Sequence, residues 1–311
     1  MLRQALMQMS KSARVRHLVE TAPGSRQVVR RFVAGAGTAD ALRASTQITS
    51  SHRLVTLDHL GEDTGDVTQA RAIRDAYCGL LRGLADAGLA EGGRCEVSLK
   101  LSAVGQALPG EGEKVALEHA WDVCQAASEA GTTVTLDMED HTTTDSTLSV
   151  LRELRADFPW VGAVLQSYLR RTESDCKDLA GAGSRVRLCK GAYDEPESVA
   201  FAAKAEVDRS YVRCLRVLMA GEGSPMVATH DPRLIDIAGA LAVQNGRSQG
   251  SYEYQMLFGV RPDEQQRLAD RGEKVRVYVP YGDQWYGYLV RRMAERPANT
   301  AFFLRSLATR G

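Results

Sequence analysis

The sequence lacks a long apolar run, a CxxC pair, a glycine-rich turn fingerprint and an excess of either charge, and each absence removes a class of protein. No stretch approaches the roughly 20 apolar residues of a membrane-spanning helix, and none is flanked like a signal peptide. Lys plus Arg number 39 and Asp plus Glu 39, so a formal charge of zero gives no general reason to expect nucleic acid as partner. The six cysteines, Cys78, Cys95, Cys124, Cys176, Cys189 and Cys214, lie far apart, most within apolar patterns. They read as reduced core residues of a cytoplasmic protein, neither a disulfide framework nor a zinc site.

What is present is a chain of 311 residues, 44% apolar and 25% charged, enough for one large globular domain or two small ones. The N-terminus, "MLRQALMQMSKSARVRHLVETAPGSRQVVRRFV", is basic with a single acid, Glu20. It is expected to form amphipathic helices broken at Pro23-Gly24 that pack outside the main fold; the competing reading is a transit peptide or a peripheral contact with the cytoplasmic face of a membrane.

From residue 54, eight short β-branched runs alternate with helix-period segments: "LVTLDHL", "CEVSLKL", "TVTLDM", "GAVLQSY", "RVRLCKGA", "PMVATH", "YEYQMLF" and "KVRVYVP". Asp231-Pro232 marks a helix start, Gly272 a helix end, and "TTDSTLSVLRELRADFP" begins with cap-forming residues and stops at Pro159. Eight strand-then-helix units without hairpin signals predict an α/β fold, a (β/α)8 TIM barrel at residues 51–311 behind an N-terminal helical arm at 1–50. A doubly wound open sheet would need a reversal of strand order, and no glycine-rich turn marks one.

Chemistry in such a barrel sits at the C-terminal ends of the strands. There the sequence places Glu62, Lys100, Asp137, Gln166, Arg187, Lys190, Thr229, His230, Gln255 and Tyr278, while the opposite strand ends are expected to be apolar or small. Three readings of this polar rim compete. Asp137, Glu139 and His141 alternate as metal ligands would, but no second histidine cluster completes a set. Lys100 or Lys190 could form a Schiff base. Arg187, Lys190 and Gly191 could hold an anionic cofactor beside a small carboxylate.

In order along the chain, "SLKLSA", "LDMED", "LQSYLRR", "RLCKGAY", "ATHD", "YEYQMLFG", "VYVPYG" and "YLVRRMAERPAN" resemble the motifs of the proline dehydrogenase family, from about residue 54 to 303. The resemblance implies a (β/α)8 barrel with noncovalent FAD that oxidises L-proline to 1-pyrroline-5-carboxylate, the first step of proline degradation to glutamate, and passes electrons to a membrane quinone. It implies that Lys100, Arg291 and Arg292 hold the substrate carboxylate, and that Leu188, Tyr193, Leu257, Tyr278 and Tyr288 wall the ring. Asp137 would lie beneath the substrate and Arg187 near the flavin N5, these two and Tyr278 being the expected catalytic residues.

Met138, Gln166, Arg187, Lys190, Gly191, Ala192, Thr229, His230 and Glu295 would carry the flavin. Glu62 would pair with Arg291 as a gate, and no metal is expected. In "YGYLVRRMAERPAN" the spacing of Tyr288, Arg291, Arg292 and Glu295 puts all four on one helical stripe, which the resemblance turns inward over the barrel mouth. Asp194 follows Tyr193 where long bifunctional members carry tryptophan. Without a second catalytic domain in the sequence, the enzyme is expected to be monofunctional, its product passing to a separate pyrroline-5-carboxylate dehydrogenase. Another cyclic secondary amine, such as hydroxyproline, is the alternative substrate.

Overall fold

The computed structural model describes residues 25–61 and 64–295, with side chains throughout except at 25–28 and 291–295. Eight strands pair in chain order into a closed barrel: β1 Leu54–His59, β2 Cys95–Leu99, β3 Val134–Leu136, β4 Gly162–Gln166, β5 Arg185–Cys189, β6 Ser224–Ala228, β7 Glu253–Leu257 and β8 Val275–Tyr281. Every pairing is parallel, including the closure of β1 on β8.

Helices α1 Ser25–Phe32 and α2 Thr38–Thr49 precede β1. One α-helix then follows each strand: α3 Val67–Asp86, α4 Gly112–Glu129, α5 Thr144–Asp157, α6 Thr172–Leu179, α7 Lys204–Ala220, α8 Pro232–Gln244, α9 Pro262–Asp270 and α10 Trp285–Glu295. The (β/α)8 barrel read from the sequence is thus the fold found. Residues 1–24, with the basic N-terminal segment, lie outside the described residues. Among the described residues no helix is long and apolar enough to cross a membrane, and all six cysteines are free.

Strand alternation builds the outer layer. Val55, Leu57, Val97, Leu99, Val277 and Val279 face the helices and pack with Ala41 and Ile48 of α2, Leu80, Leu81 and Leu84 of α3, and Leu151 and Leu154 of α5. Val186, Leu188, Val227, Tyr254 and Met256 do the same against α6 to α9. Each such aliphatic side chain withdrawn from water is worth about 1.5–3 kcal/mol. The helix signals are also found. Asp231 caps α8 by accepting from the Arg233 N–H at 3.1 Å, with Pro232 in the first turn. Gly272, at φ +82°, turns the chain away after α9.

Between the outward residues, the inward ones on β2, β5, β7 and β8 are charged even at the N-terminal ends, which corrects the expectation of apolar or small strand ends there; β4 and β6 keep it, with Gly162 and Met226 turned inward. Glu96, Arg276 and Glu253 are buried there and Arg185 is nearly so. Glu96 accepts from Thr56 Oγ1 at 2.8 Å, Thr133 Oγ1 at 2.6 Å and Arg185 Nη2 at 2.6 Å. Arg276 donates to Glu253 Oε1 at 2.8 Å and to the Val55 carbonyl at 2.9 Å. The Glu96 carboxyl is pulled well below its usual range: burial opposes ionisation, but the cations of Arg185, Arg276 and Arg187 outweigh it. Opposite charges meeting inside one closed ring offset a desolvation cost that a lone buried ion could not sustain.

The mouth is covered by α10. Tyr286, Tyr288, Leu289 and Val290 are all buried, packing with Phe32, Val33, Leu60 and Val260. The N-terminal segment is tied to the same end, the Ala34 N–H donating to the Pro280 carbonyl at 2.9 Å and the Gly282 N–H to Gly35 O at 2.8 Å. At Gly259, φ +73°, a Cβ would lie 1.8 Å from the Arg31 carbonyl oxygen, so only glycine lets α1 come this close to the end of β7.

Candidate active site

Directly above the salt-bridged floor, the strand ends bring four ionisable groups and a tyrosine together. The Asp137 carboxylate, just past β3, is the hub. Its Oδ1 accepts from Ser98 Oγ at 2.7 Å and Arg187 Nη1 at 2.6 Å. Its Oδ2 accepts from Tyr278 OH at 2.7 Å and Lys100 Nζ at 3.4 Å. Burial raises the Asp137 pKa, but the charges of Lys100 and Arg187 and the hydroxyls of Ser98 and Tyr278 more than reverse that, so it is held ionised below its ordinary value.

Lys100 lies between two carboxylates. Its ammonium donates to Asp58 Oδ1 at 2.7 Å and reaches Tyr278 OH at 3.4 Å. The Arg187 guanidinium donates from Nε to Gln255 Oε1 at 2.5 Å and stands over the Tyr278 ring at 5.3 Å. Burial, with the neighbouring charges of Asp137 and Asp58, pushes the Tyr278 phenol well above its usual range, so it acts as a hydrogen-bond donor and not as a phenolate. This buried, pre-paired set could fix a small anion and a polar ring nitrogen in one orientation.

The remaining expected residues divide. Leu257 packs against the cluster containing Tyr288 under α10. Tyr193 lies half-buried on the loop after β5. Leu188 is a correction. Arg187 points inward, so the two-residue period of a strand turns Leu188 outward, where it is fully buried with Tyr211, Cys214 and Leu215 and cannot wall a ring in the mouth. Glu62 lies outside the described residues. The α10 backbone carries Arg291, Arg292 and Glu295 as the last helical turn, but their side chains also lie outside the described part.

The alternating Asp137, Glu139 and His141 do not converge on a metal. Glu139 accepts from Ser102 Oγ at 2.7 Å, and His141 pairs through Nδ1 with Glu195. Among the described residues no group of three or more His, Cys, Asp or Glu could hold one.

The candidate cofactor residues line the ends of β3 to β6. Gln166 Nε2 donates to the Glu139 carbonyl at 2.7 Å. The Thr229 hydroxyl accepts from the Asp231 N–H at 3.1 Å. His230 accepts the Leu257 N–H on Nε2 at 2.9 Å, which places the proton of a neutral ring on Nδ1.

Lys190 meets Asp208 at 2.5 Å and Asp231 at 3.5 Å. Lys204 and Arg233 join the same two acids; three cations against two carboxylates leave one positive charge over. Gly191, at φ +111°, passes so close to the Tyr168 ring that a Cβ would sit 2.3 Å from it. Ammonium, hydroxyl, imidazole and a bare backbone are the donor types a diphosphate requires, while buried Met138 and Tyr168 offer apolar surface to a flat ring. The residues present therefore fit a dinucleotide flavin.

Sequence reasoning missed Asp58 and Ser98, both inward on strands whose neighbours are aliphatic. The available signal was their place in the alternation: Thr56 and Asp58, like Glu96 and Ser98, occupy the inward positions. It also missed Glu195. This buried acid accepts from the His141 N–H at 2.9 Å and Tyr168 OH at 3.0 Å, clasping the loop after β5 to the ends of β3 and β4.

Fold and site together define a (β/α)8-barrel enzyme with a buried, cation-bearing centre at the C-terminal mouth. The family profile described as proline dehydrogenase matches residues 41–305. "Proline dehydrogenase" of Deinococcus radiodurans is 39% identical over 279 residues, 89% of this chain and 89% of that protein. "Proline dehydrogenase 1" of Bacillus subtilis subsp. natto is 35% identical over 284 residues, 91% of this chain and 92% of that protein.

Among solved structures, proline utilization A (PutA) from Bdellovibrio bacteriovorus, inactivated by N-propargylglycine, superposes with a TM-score of 0.81 at 26% identity over 90% of this chain. The chain spans 34% of that much longer protein. It belongs to the proline dehydrogenase family.

Proposed function

We propose that the protein catalyses FAD-dependent oxidation of L-proline to 1-pyrroline-5-carboxylate, delivering electrons to a quinone, as the first step of proline degradation. The observation that carries this is the Lys100–Asp137–Tyr278–Arg187 constellation, which sits buried where a barrel does chemistry and is pre-paired to receive an anion. FAD, held by the residues at the ends of β3 to β6, would supply the acceptor for the two electrons lost from the ring C–H beside nitrogen as the CH–NH unit becomes C=N.

The protein's own part is binding and orientation. Lys100, with Arg291 and Arg292 from α10, takes the carboxylate through charge-assisted hydrogen bonds of roughly 1.5–3 kcal/mol each. Tyr278, Tyr288, Leu257 and Tyr193 enclose the apolar faces of the ring. Glu62 pairs with Arg291 when the mouth opens. Asp137 stays ionised and holds Lys100, Tyr278 and Arg187 in register, so the ring carbon next to nitrogen is presented in one geometry.

Residues 1–50 are read as an N-terminal helical arm outside the barrel domain at 51–311, and the product is handed to a pyrroline-5-carboxylate dehydrogenase. Anaerobic addition of L-proline to the flavin-loaded protein should bleach the flavin absorbance. If proline leaves the spectrum unchanged where dithionite bleaches it, the proposal is wrong.

A further inference from the structure

Two carboxylates share the Lys100 ammonium, and they are not equivalent. Asp137 has Ser98, Arg187 and Tyr278 as donors besides Lys100. Asp58, 1% exposed at the end of β1, has Lys100 as its one close donor, with the Tyr278 hydroxyl a weaker neighbour that already donates to Asp137; its Oδ2 is buried with no hydrogen-bond partner among the described residues. Among the described residues, the Lys100 ammonium reaches Asp58 at 2.7 Å and Asp137 and Tyr278 at 3.4 Å. A substrate carboxylate arriving at Lys100 must therefore take hydrogen-bonding capacity from one of these partners. Asp137 can lose that share and remain a satisfied anion, whereas Asp58 would be left as a buried anion with no more than a share of the Tyr278 hydroxyl that Asp137 already holds.

We propose that Asp58 positions Lys100 in the empty site and takes up a proton from solvent when a substrate carboxylate engages Lys100, so that anion binding and protonation of Asp58 are one linked event. This inference rests on the reading of the site as carboxylate-binding through Lys100. The balance is simple: ionised Asp58, one solvent proton and the bound anion become carboxylic Asp58 beside a Lys100–carboxylate pair, and no bond to carbon changes.

The charged and titratable surroundings favour it. Toward Asp58 face Lys100 from β2, Asp137 from β3, Tyr278 and Tyr281 from β8 and Tyr77 from α3. His59, next along β1, stacks away against Tyr77 and Tyr281. Lys100 is the one cation among these described groups. Burial, together with the Asp137 charge, raises the Asp58 carboxyl above its ordinary value even with Lys100 opposing the rise. Asp137 is shifted the other way. Neighbouring carboxyls driven apart in this manner divide the work, one staying charged and one exchanging its proton.

The test uses the full-length, FAD-loaded protein and cyclopentanecarboxylate, a ring carboxylate that has no amine to titrate. Calorimetric titration in buffers of different ionisation enthalpy should show uptake approaching one proton per bound probe. Wild-type affinity should fall by up to about tenfold per pH unit above the Asp58 pKa of the free protein. Asp58→Asn, which carries a neutral side chain of the same shape, should bind without proton uptake and with no such dependence. A carboxylic-acid carbonyl band appearing in the infrared difference spectrum of the wild-type protein on probe binding tests the same event without any variant. Binding with no proton uptake, or with uptake unchanged in Asp58→Asn, overturns the inference alone. No binding of the probe at any pH overturns the functional reading and the inference with it.

Discussion

The floor and the mouth of this barrel are both buried charge networks, and they differ in how completely their carboxylates are satisfied, although Arg185 Nη1 of the floor has no partner among the described residues. On the floor each oxygen of Glu96 and Glu253 has a donor, from Thr56, Thr133, Thr135, Arg185, Gln255 or Arg276. At the mouth Asp58 keeps one oxygen without a partner among the described residues, and Lys100 is divided between two acids. Satisfied charges hold a structure in one state; under-satisfied ones leave a place for a ligand. Similar residue types thus serve two purposes, and the donors that each carboxylate finds tell them apart.

The largest effect should follow from opening the floor. Glu96→Ala strands Arg185, Arg187 and Arg276 against one another, and loss of one partner from such a set costs about 3–5 kcal/mol, a large share of the 5–15 kcal/mol that holds a typical domain. Urea denaturation would measure it. Lys100→Met should cost less stability, yet lower kcat/KM for proline by roughly 10²–10³-fold, as removal of a buried charged partner does. Equal stability losses for the two variants would break the comparison.

Arg292→Lys keeps charge but loses the planar fork. Proline should bind about ten- to a hundredfold more weakly, the equivalent of one charge-assisted bond, with flavin still retained. Glu195→Gln should give the smallest effect, about 1 kcal/mol from a weakened clasp, read as faster flavin dissociation.

Acid sharpens the same contrast because the signs differ. Glu96, Glu253 and Asp137 have folded pKa values below their unfolded ones. The stability they contribute is present above the ordinary carboxyl range, about 3.9–4.3, and is lost as pH falls through their folded values. Asp58 is raised, so between its unfolded and folded values the native state binds the extra proton and stability falls as pH rises. At neutral pH Asp58→Asn should therefore match or exceed wild-type stability, by about 1 kcal/mol, while Glu96→Gln lowers it. Melting curves of the two variants across pH check both signs.

Much of this was legible in the sequence. The eight β-branched runs are the eight strands, because their outward aliphatic positions report the helix-facing layer. Their predicted ends ran a residue or more too far at Lys100, Met138, Tyr168, Lys190 and His230. These residues belong to motifs that continue over the mouth after the ladder has stopped. Lys100, Asp137, Arg187 and Tyr278 were legible as polar residues at strand ends, and they do meet.

The floor was not, because a single inward Glu96 or Arg276 inside an apolar run carries no sign of the partner that meets it from another strand. Leu188 came from the family resemblance, and the strand alternation that turns Arg187 inward sends it to the outer layer. Asp58 was passed over within "LVTLDHL" for the same reason that Glu96 was.

The seam between β1 and β8 has a consequence for how the chain must fold. It pairs Leu54 with Arg276 and carries an Arg276 guanidinium bond to Val55 across 221 residues of chain, so it is among the most entropically costly contacts to close. Asp58 and Lys100 stand on one side of that seam and Tyr278 on the other. A chain that has folded seven strands but not docked the eighth has neither a complete mouth nor a complete floor. Turnover of substrate is therefore a reporter of barrel closure itself.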